Sequence, residues 1–278
     1  MIALDRVLKL LESAPAHPDV TRGHLDLLGE VEEPHDTVAQ RLMRSVALPR
    51  IYEQVWRPVV FGLAKGGPLG PSTAEEYALA RGWLGLAEMP GATVLDVACG
   101  PGNVTRALAS GVTGGGLVVG VDASATMLGR AVADTPASEG VASGGAAGGG
   151  AAGGGAAEVA YVRCDADDLP FREGAFDAVC CYGALYLFED PWAAIAGMAR
   201  VLRPGGRIVV LTTRRPRLPL VGRGMGVLSQ ATGIRMFGPE ELSTALAAAG
   251  FSAIRRRSYG LMQFAGATLT SSDEPSPG

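Results

Sequence analysis

The chain reads as a doubly wound α/β protein with a mostly parallel sheet. Three observations predict this. Short runs rich in Val, Ile or aromatic residues recur along the second two thirds of the chain, helical patterns separate them, and a glycine-rich turn joins the first run to its helix. Alternating strands and helices require crossovers that cover both faces of a sheet, which is why such strands are apolar on both sides.

Taken in order, residues 1–90 read as a helical extension. In MIALDRVLKLLES, Leu4, Val7, Leu8 and Leu11 share one helical face, with Arg6, Lys9 and Glu12 outside it. Thr37 to about Lys65 reads as two helical segments broken near Pro49 and Pro58. Ser72-Thr73-Ala74-Glu75 has the spacing of a capping box opening a helix that runs to about Glu88. The α/β domain is expected over residues 91–267. Its strands are Ala92–Val97, Leu117–Val121, Val159–Val162, Phe176–Tyr182 and Arg207–Thr212, with helices at about 103–110, 124–134, 190–202 and 239–249. Ala253–Ala267 breaks the alternation as two strands meeting around Tyr259-Gly260, an antiparallel hairpin at a sheet edge that completes seven strands. Residues 139–157 are nearly all Gly and Ala, a flexible insert in a loop that tolerates length. Residues 268–278 read as a disordered tail.

Composition narrows the function. Of 278 residues 47% are hydrophobic and 19% charged, a globular balance, and the net charge of −4 carries no global signature for nucleic acid. Cys99, Cys164, Cys180 and Cys181 form no C-x-x-C pair, and His17, His24 and His35 lie far upstream, so neither a metal site nor a disulfide framework is supported. Free buried thiols are expected. The N-terminal stretch lacks the pattern of a signal peptide and no apolar run is long enough for a bilayer, so a cytoplasmic protein is expected.

The most informative segment is Val94-Leu95-Asp96-Val97-Ala98-Cys99-Gly100-Pro101-Gly102-Asn103. A strand ends, two glycines allow a sharp turn close to a ligand, and a helix begins; this junction is the ligand crevice of doubly wound folds. Twenty residues beyond Gly102, Asp122 ends the second strand, where a carboxylate accepts both hydroxyls of a ribose. Asp122 also suits a helix N-cap, but Ser124 can fill that role. A dinucleotide fingerprint would place a third glycine where Thr105 stands, and Asp96 would repel a pyrophosphate. A carboxylate there suits a ligand with a cationic part.

With these residues in view, the chain resembles the class I S-adenosylmethionine-dependent methyltransferases, especially the group around the ubiquinone/menaquinone-biosynthesis C-methyltransferases. The resemblance covers roughly residues 90–213 and rests on VLDVACGPGN, VDASATML, CDADDLPF, FDAVCCYGALYLFEDP and VLRPGGRIVV, in that order. It implies a Rossmann-like methyltransferase fold and S-adenosyl-L-methionine as cofactor. Position by position, it implies that Asp96 and the Ala98, Cys99, Gly100 and Gly102 backbone hold the methionine part, and that Asp122 takes the ribose. It further implies that Ala123 and Met127 flank the adenine, that Asp165 and the Ala166 amide contact its edge, and that Tyr182 and Gly183 face the methyl donor. Ala98 replaces the first glycine of the common pattern, and the Gly/Ala insert is foreign to it. Leu169-Pro170-Phe171 reads as packing and Arg203-Pro204-Gly205-Gly206 as a turn.

Methyl transfer needs alignment and a dry site, and a general base only when the acceptor must lose a proton. Tyr182 and Tyr186, and upstream His35 and Tyr52, are the candidates. The acceptor is expected to be a small, largely apolar molecule, quinone- or lipid-like, with peripheral membrane contact for its delivery. It would be enclosed by Tyr52–Leu63 (with Tyr52, Trp56 and Phe61) and by Arg214–Phe237, which mixes apolar residues with Arg214, Arg215, Arg217 and Arg223. The competing readings are a non-catalytic protein that keeps the cofactor fold and an NAD-linked oxidoreductase.

Overall fold

The computed structural model describes residues 2–29, 62, 64–67, 70–136, 155–216 and 234–270. Helix α1, Ile2–Leu10, opens the chain; Val7 and, just past its end, Leu11 are buried against the sheet, with Leu4 and Leu8 packed beside them. Leu11 bridges Phe171 and Arg6 reaches Glu158 at 3.2 Å. Strand β1 follows, only Leu25–Asp26.

Helix α2, Thr73–Leu84, begins as its sequence directs. Ser72 Oγ accepts from the Glu75 amide at 3.2 Å, and the Glu75 carboxylate accepts from the Ser72 amide at 2.8 Å. It stops four residues before the expected Glu88, because Gly85 turns left-handed (φ +67°) and a 3₁₀ turn over Leu86–Glu88 takes over. The core alternation then runs β2 (Thr93–Val97), α3 (Asn103–Ala109), β3 (Leu117–Asp122), α4 (Ala125–Asp134), β4 (Glu158–Arg163) and β5 (Phe176–Tyr182). It continues through α5 (Pro191–Val201), β6 (Leu202–Thr213), α6 (Glu241–Ala248) and the hairpin β7 (Phe251–Tyr259) and β8 (Met262–Leu269).

The sheet order is β1-β4-β3-β2-β5-β6-β8-β7, parallel through β6 and antiparallel at β8 and β7. Strand β1, parallel to Val162 and Arg163, adds an eighth strand to the seven expected. Two residues carry no alternation to read, so nothing in the mostly helical extension signals this strand. Strand β6 begins at Leu202, before the predicted Arg207: Leu202 pairs with Phe176 and Arg207 with Ala178, so Arg203–Gly206 loop out as a bulge rather than a separate turn. Strand β8 reaches Leu269 and Thr270 bonds the Gly250 carbonyl, so the chain stays ordered past residue 268.

Apolar clusters cover both faces of the sheet. Leu95, Val121, Val179 and Val210 face α1, α5 and α6, whereas Val94, Val118, Ala178 and Val209 face α2 and α3. Adjacent Cys180 and Cys181 point to opposite cores, as period-two geometry requires. All four cysteines are free and buried.

His24 is buried ahead of β1, and burial, followed by the weaker opposing effect of Asp26 and then the repulsion of Arg163 and Arg22, holds its pKa below 6.5. Below that value the unfolded chain takes up a proton that the folded chain resists, so stability falls with acidification. His24→Leu is therefore expected to shrink the loss of denaturant midpoint between pH 7.5 and pH 5.5. An unchanged pH dependence would show that His24 does not contribute.

Candidate active site

The chain passes from β2 outward through β3 to β4, then returns to place β5 on the other side of β2. Helices on either side of that reversal diverge and open a crevice at the carboxyl ends of β2 and β5. The ends of β2, β3, β4 and β5 bring Asp96, Asp122, Asp165 and Tyr182 to one edge of the sheet.

After Val97 the backbone turns left-handed at Ala98 (φ 55°), Gly100 (φ 54°) and Gly102 (φ 75°). Alanine tolerates that conformation at a cost of about 1 kcal/mol, so Ala98 is a strained residue at the mouth of the crevice. A Cβ on Gly100 would enter open space, whereas one on Gly102 would stand 2.4 Å from the Tyr161 hydroxyl. Gly102 thus lets α3 start directly over β4, and Gly100 leaves the loop's outer face clear for a ligand.

Two carboxylates brace this loop. Asp122 accepts from the Gly100 amide at 2.9 Å with one oxygen and from the Ser124 amide at 2.8 Å with the other. Ser124, not Asp122, caps α4, accepting from the Met127 amide at 3.3 Å. Asp96 is buried and accepts from the Thr105 hydroxyl at 2.6 Å. Sequence reasoning read Thr105 only as a missing glycine; it is the buried donor that orients Asp96. A Thr nine residues after the strand carboxylate, one turn into the next helix, was the available signal.

The remaining residues cluster as follows. Met127 is buried in α4, Ala166 packs on the core below β4, and Gly183 (φ 72°) donates its amide to the Leu211 carbonyl at 2.8 Å. Asp165 accepts from the Asp167 amide at 3.0 Å. Burial, then Asp165, Asp190 and Glu189, raise the Asp167 pKa, the mark of a negative field along this edge. Burial and then acidic neighbours also push up the Cys99 and Cys164 thiols, and burial followed by Asp96 brings Cys181 to about 12. These thiols stay protonated and supply no nucleophile.

Tyr182, a candidate base from sequence, is held by its neighbours. Its hydroxyl donates to Glu76, whose other oxygen pairs with Lys65 at 2.8 Å, and its ring packs edge-on to Tyr77 and Phe264. Burial and then Glu76 hold the phenol far above its ordinary pKa of 10, so Tyr182 is a donor and not a base. Because α2 leads back to the start of β2, its first turn lies at the carboxyl ends of the strands, which is how Glu76 reaches Tyr182. Glu76 also borders a cleft of about 340 Å³ with Glu75, Leu79, Arg257 and Tyr259. Neither Glu76 nor Lys65 was singled out from sequence, since nothing local links positions 65, 76 and 182. Tyr186 is buried in the core beside α5, and its carbonyl accepts from the Arg235 amide at 3.1 Å. His35, Tyr52, Trp56, Phe61, Arg217 and Arg223 lie outside the described residues. Arg214 and Arg215 bond the Gly260 and Met236 carbonyls and so serve the local structure.

The donor set suits S-adenosylmethionine. A line of carboxylates would suit a ligand with a sulfonium and an ammonium, Asp122 stands at the strand end where a ribose would be held, and the open glycine loop could offer backbone to the amino-acid part.

Comparison with known proteins agrees. Residues 95–210 match the methyltransferase domain family model. An uncharacterised methyltransferase of Synechocystis is 33% identical over 180 residues, covering 63% of this chain and 73% of that protein. A ubiquinone/menaquinone biosynthesis C-methyltransferase of Ectopseudomonas mendocina is 36% identical over 134 residues, 48% of this chain, and the match spans only 46% of that relative's length. Among solved structures, a phosphoethanolamine N-methyltransferase of Haemonchus contortus bound to S-adenosylhomocysteine shares the fold (TM-score 0.58, 16% identity), covering 81% of this chain and 59% of that one. Five motifs in order, the carboxylate-lined crevice and these relatives converge: the chain belongs to the class I S-adenosylmethionine-dependent methyltransferase family.

Proposed function

We propose that this methyltransferase acts on a small, largely apolar acceptor of the quinone or lipid kind. The observation that carries the reading is the 36% identity to a protein named as a quinone-biosynthesis C-methyltransferase. The site supports it in kind. Beyond the cofactor edge, α5 and the segment entering α6 supply Trp192 and Phe237, stacked edge-on at 5.5 Å, with the exposed Arg235 guanidinium 5.0 Å above the indole. The half-buried Trp192 indole, backed by the fully buried Phe237 and carrying a cation on its rim, suits a flat apolar ring bearing an anionic or polar oxygen.

When bound, S-adenosylmethionine supplies an electrophilic methyl group on a sulfonium. The chain's own tasks are positional. Asp122 accepts the ribose hydroxyls while tying down Gly100; Asp96, fixed by Thr105, offers its carboxylate beneath the loop; and the Ala98–Gly102 backbone sets the distance between donor and acceptor. The two apolar cores below exclude water from the crevice floor. Tyr182 directs its proton to Glu76 and packs its ring on Tyr77 and Phe264, which fixes the end of β5 beside the crevice.

The test is a transfer assay with S-adenosylmethionine and reduced demethylmenaquinone in detergent, read by mass spectrometry. A product heavier by one methylene supports the reading. Transfer only to a polar amine or to a nucleic acid would replace the acceptor class. Tight cofactor binding without transfer to any quinone or lipid would favour a non-catalytic protein on this fold.

A further inference from the structure

Arg163, the last residue of β4, lies in register between Asp122 on β3 and Asp26 on β1. Its guanidinium is mostly buried, with 15% of the side chain exposed, and divides its donors among three acceptors. Nε donates to the Ala123 carbonyl at 3.0 Å, and Nη1 to Asp26 Oδ2 at 2.9 Å and to the Gly29 carbonyl at 2.7 Å. Asp26 is itself fixed, since its other oxygen accepts from the amides of Leu28 and Gly29. The amide of Leu27 closes the ring on the Arg163 carbonyl at 3.0 Å.

The consequence falls on the loop after β3. Asp122 is held from the side of the glycine loop by Gly100 and from within by Ser124. The only described side chain bonded to the next peptide, at Ala123, is Arg163. A planar guanidinium with several donors in a fixed fork sets an angle as well as a distance, which a lysine cannot do. Two residues further along the same strand exit stands Asp165. Arg163 therefore ties together the two loops read as the walls of the nucleoside pocket and anchors both to the N-terminal segment.

We propose that Arg163 is a positioning residue for the cofactor's nucleoside, and that Asp26 and Gly29 make the segment around β1 part of the cofactor site. This rests on reading Asp122 and Ala123 as the adenosine contacts. By fixing the Ala123 peptide, Arg163 sets the direction in which Asp122 presents its carboxylate to the ribose.

The experiment is calorimetric titration of the full chain with S-adenosylhomocysteine and with 5′-methylthioadenosine, which keeps the nucleoside and lacks the amino-acid part. Wild type, Arg163→Lys and Asp26→Asn are compared well below their melting temperatures. Arg163→Lys keeps a charge opposite Asp26 but loses the fork, so its Tm is expected to stay near wild type while both ligands bind about tenfold more weakly, the loss of one charge-assisted bond. Asp26→Asn, which frees the other end of the fork, is expected to move both affinities the same way. Both ligands binding either variant within twofold of wild type would reduce Arg163 to a structural staple and overturn the proposal. Weakening of S-adenosylhomocysteine with methylthioadenosine unchanged would overturn it as well, by placing the effect on the amino-acid part. Wild type that binds neither ligand would remove the nucleoside site itself, an outcome visible before any variant is measured.

Discussion

Replacing Glu76 by alanine is expected to destabilise the protein by about 3 kcal/mol, the scale for removing one partner of a buried ion pair. Glu76 is 3% exposed, and its carboxylate receives both the Tyr182 hydroxyl and the Lys65 ammonium, whose side chain is itself 11% exposed. Alanine would leave a desolvated cation and a buried phenol without their acceptor. For a domain of this size the loss corresponds to a fall in melting temperature of roughly 6–12 °C. Glu76→Gln keeps an acceptor for Tyr182 and is expected to lose less. Replacing all three polar groups together, as Glu76→Leu with Lys65→Met and Tyr182→Phe, is expected to recover most of the stability, since a well-packed apolar set has no charge left to satisfy. Thermal melts decide the matter: an alanine variant melting within 2 °C of wild type would mean that solvent reaches the pair and compensates it.

Asp122→Ala is expected to weaken S-adenosylhomocysteine at least a hundredfold. Two charge-assisted bonds to the ribose are worth about 3 kcal/mol together, and that energy corresponds to two decades in the dissociation constant. The same substitution releases the Gly100 and Ser124 amides, so the glycine loop loses its brace at the moment the ribose loses its acceptor. Asp122→Asn retains one acceptor oxygen and is expected to fall between, near tenfold. Calorimetry on the three proteins gives the order directly. Equal affinity in wild type and Asp122→Ala would place the ribose elsewhere along the strand ends.

What the sequence disclosed follows from where physical information is local. The interior parallel strands are largely apolar runs because both of their faces are covered, so β2, β3 and β5 could be read to within a residue or two. The start of α2 was legible because a capping box is written within four residues. Strand β1 was not, since Leu25–Asp26 becomes a strand only when Val162 and Arg163 arrive beside it. The bulge in β6 hid that strand's first residue behind a Pro-Gly-Gly sequence that looks like an ordinary turn. In the site, the backbone parts and Asp122 were visible through their spacing. The supporting side chains were not, because Thr105, Glu76, Lys65 and Arg163 act through partners in other elements. A long-range hydrogen bond leaves no trace in the order of residues.

The contact between α1 and the far end of the sheet also bears on how the chain assembles during synthesis. Arg172 reaches back 163 residues to the Lys9 carbonyl, and the same seam carries the Leu11–Phe171 bridge. At the usual pace of translation, about 5–20 residues per second, the first helix waits on the order of 8–30 s for the strand exit that will bury it. Through that interval Leu11 lacks its Phe171 partner, and the apolar stripe of the helix Ile2–Leu10 is incompletely covered. Completion of β4 and the Phe171 turn closes this seam, so slowing translation between β3 and β5 should lengthen the time during which chaperones can capture the segment 2–11.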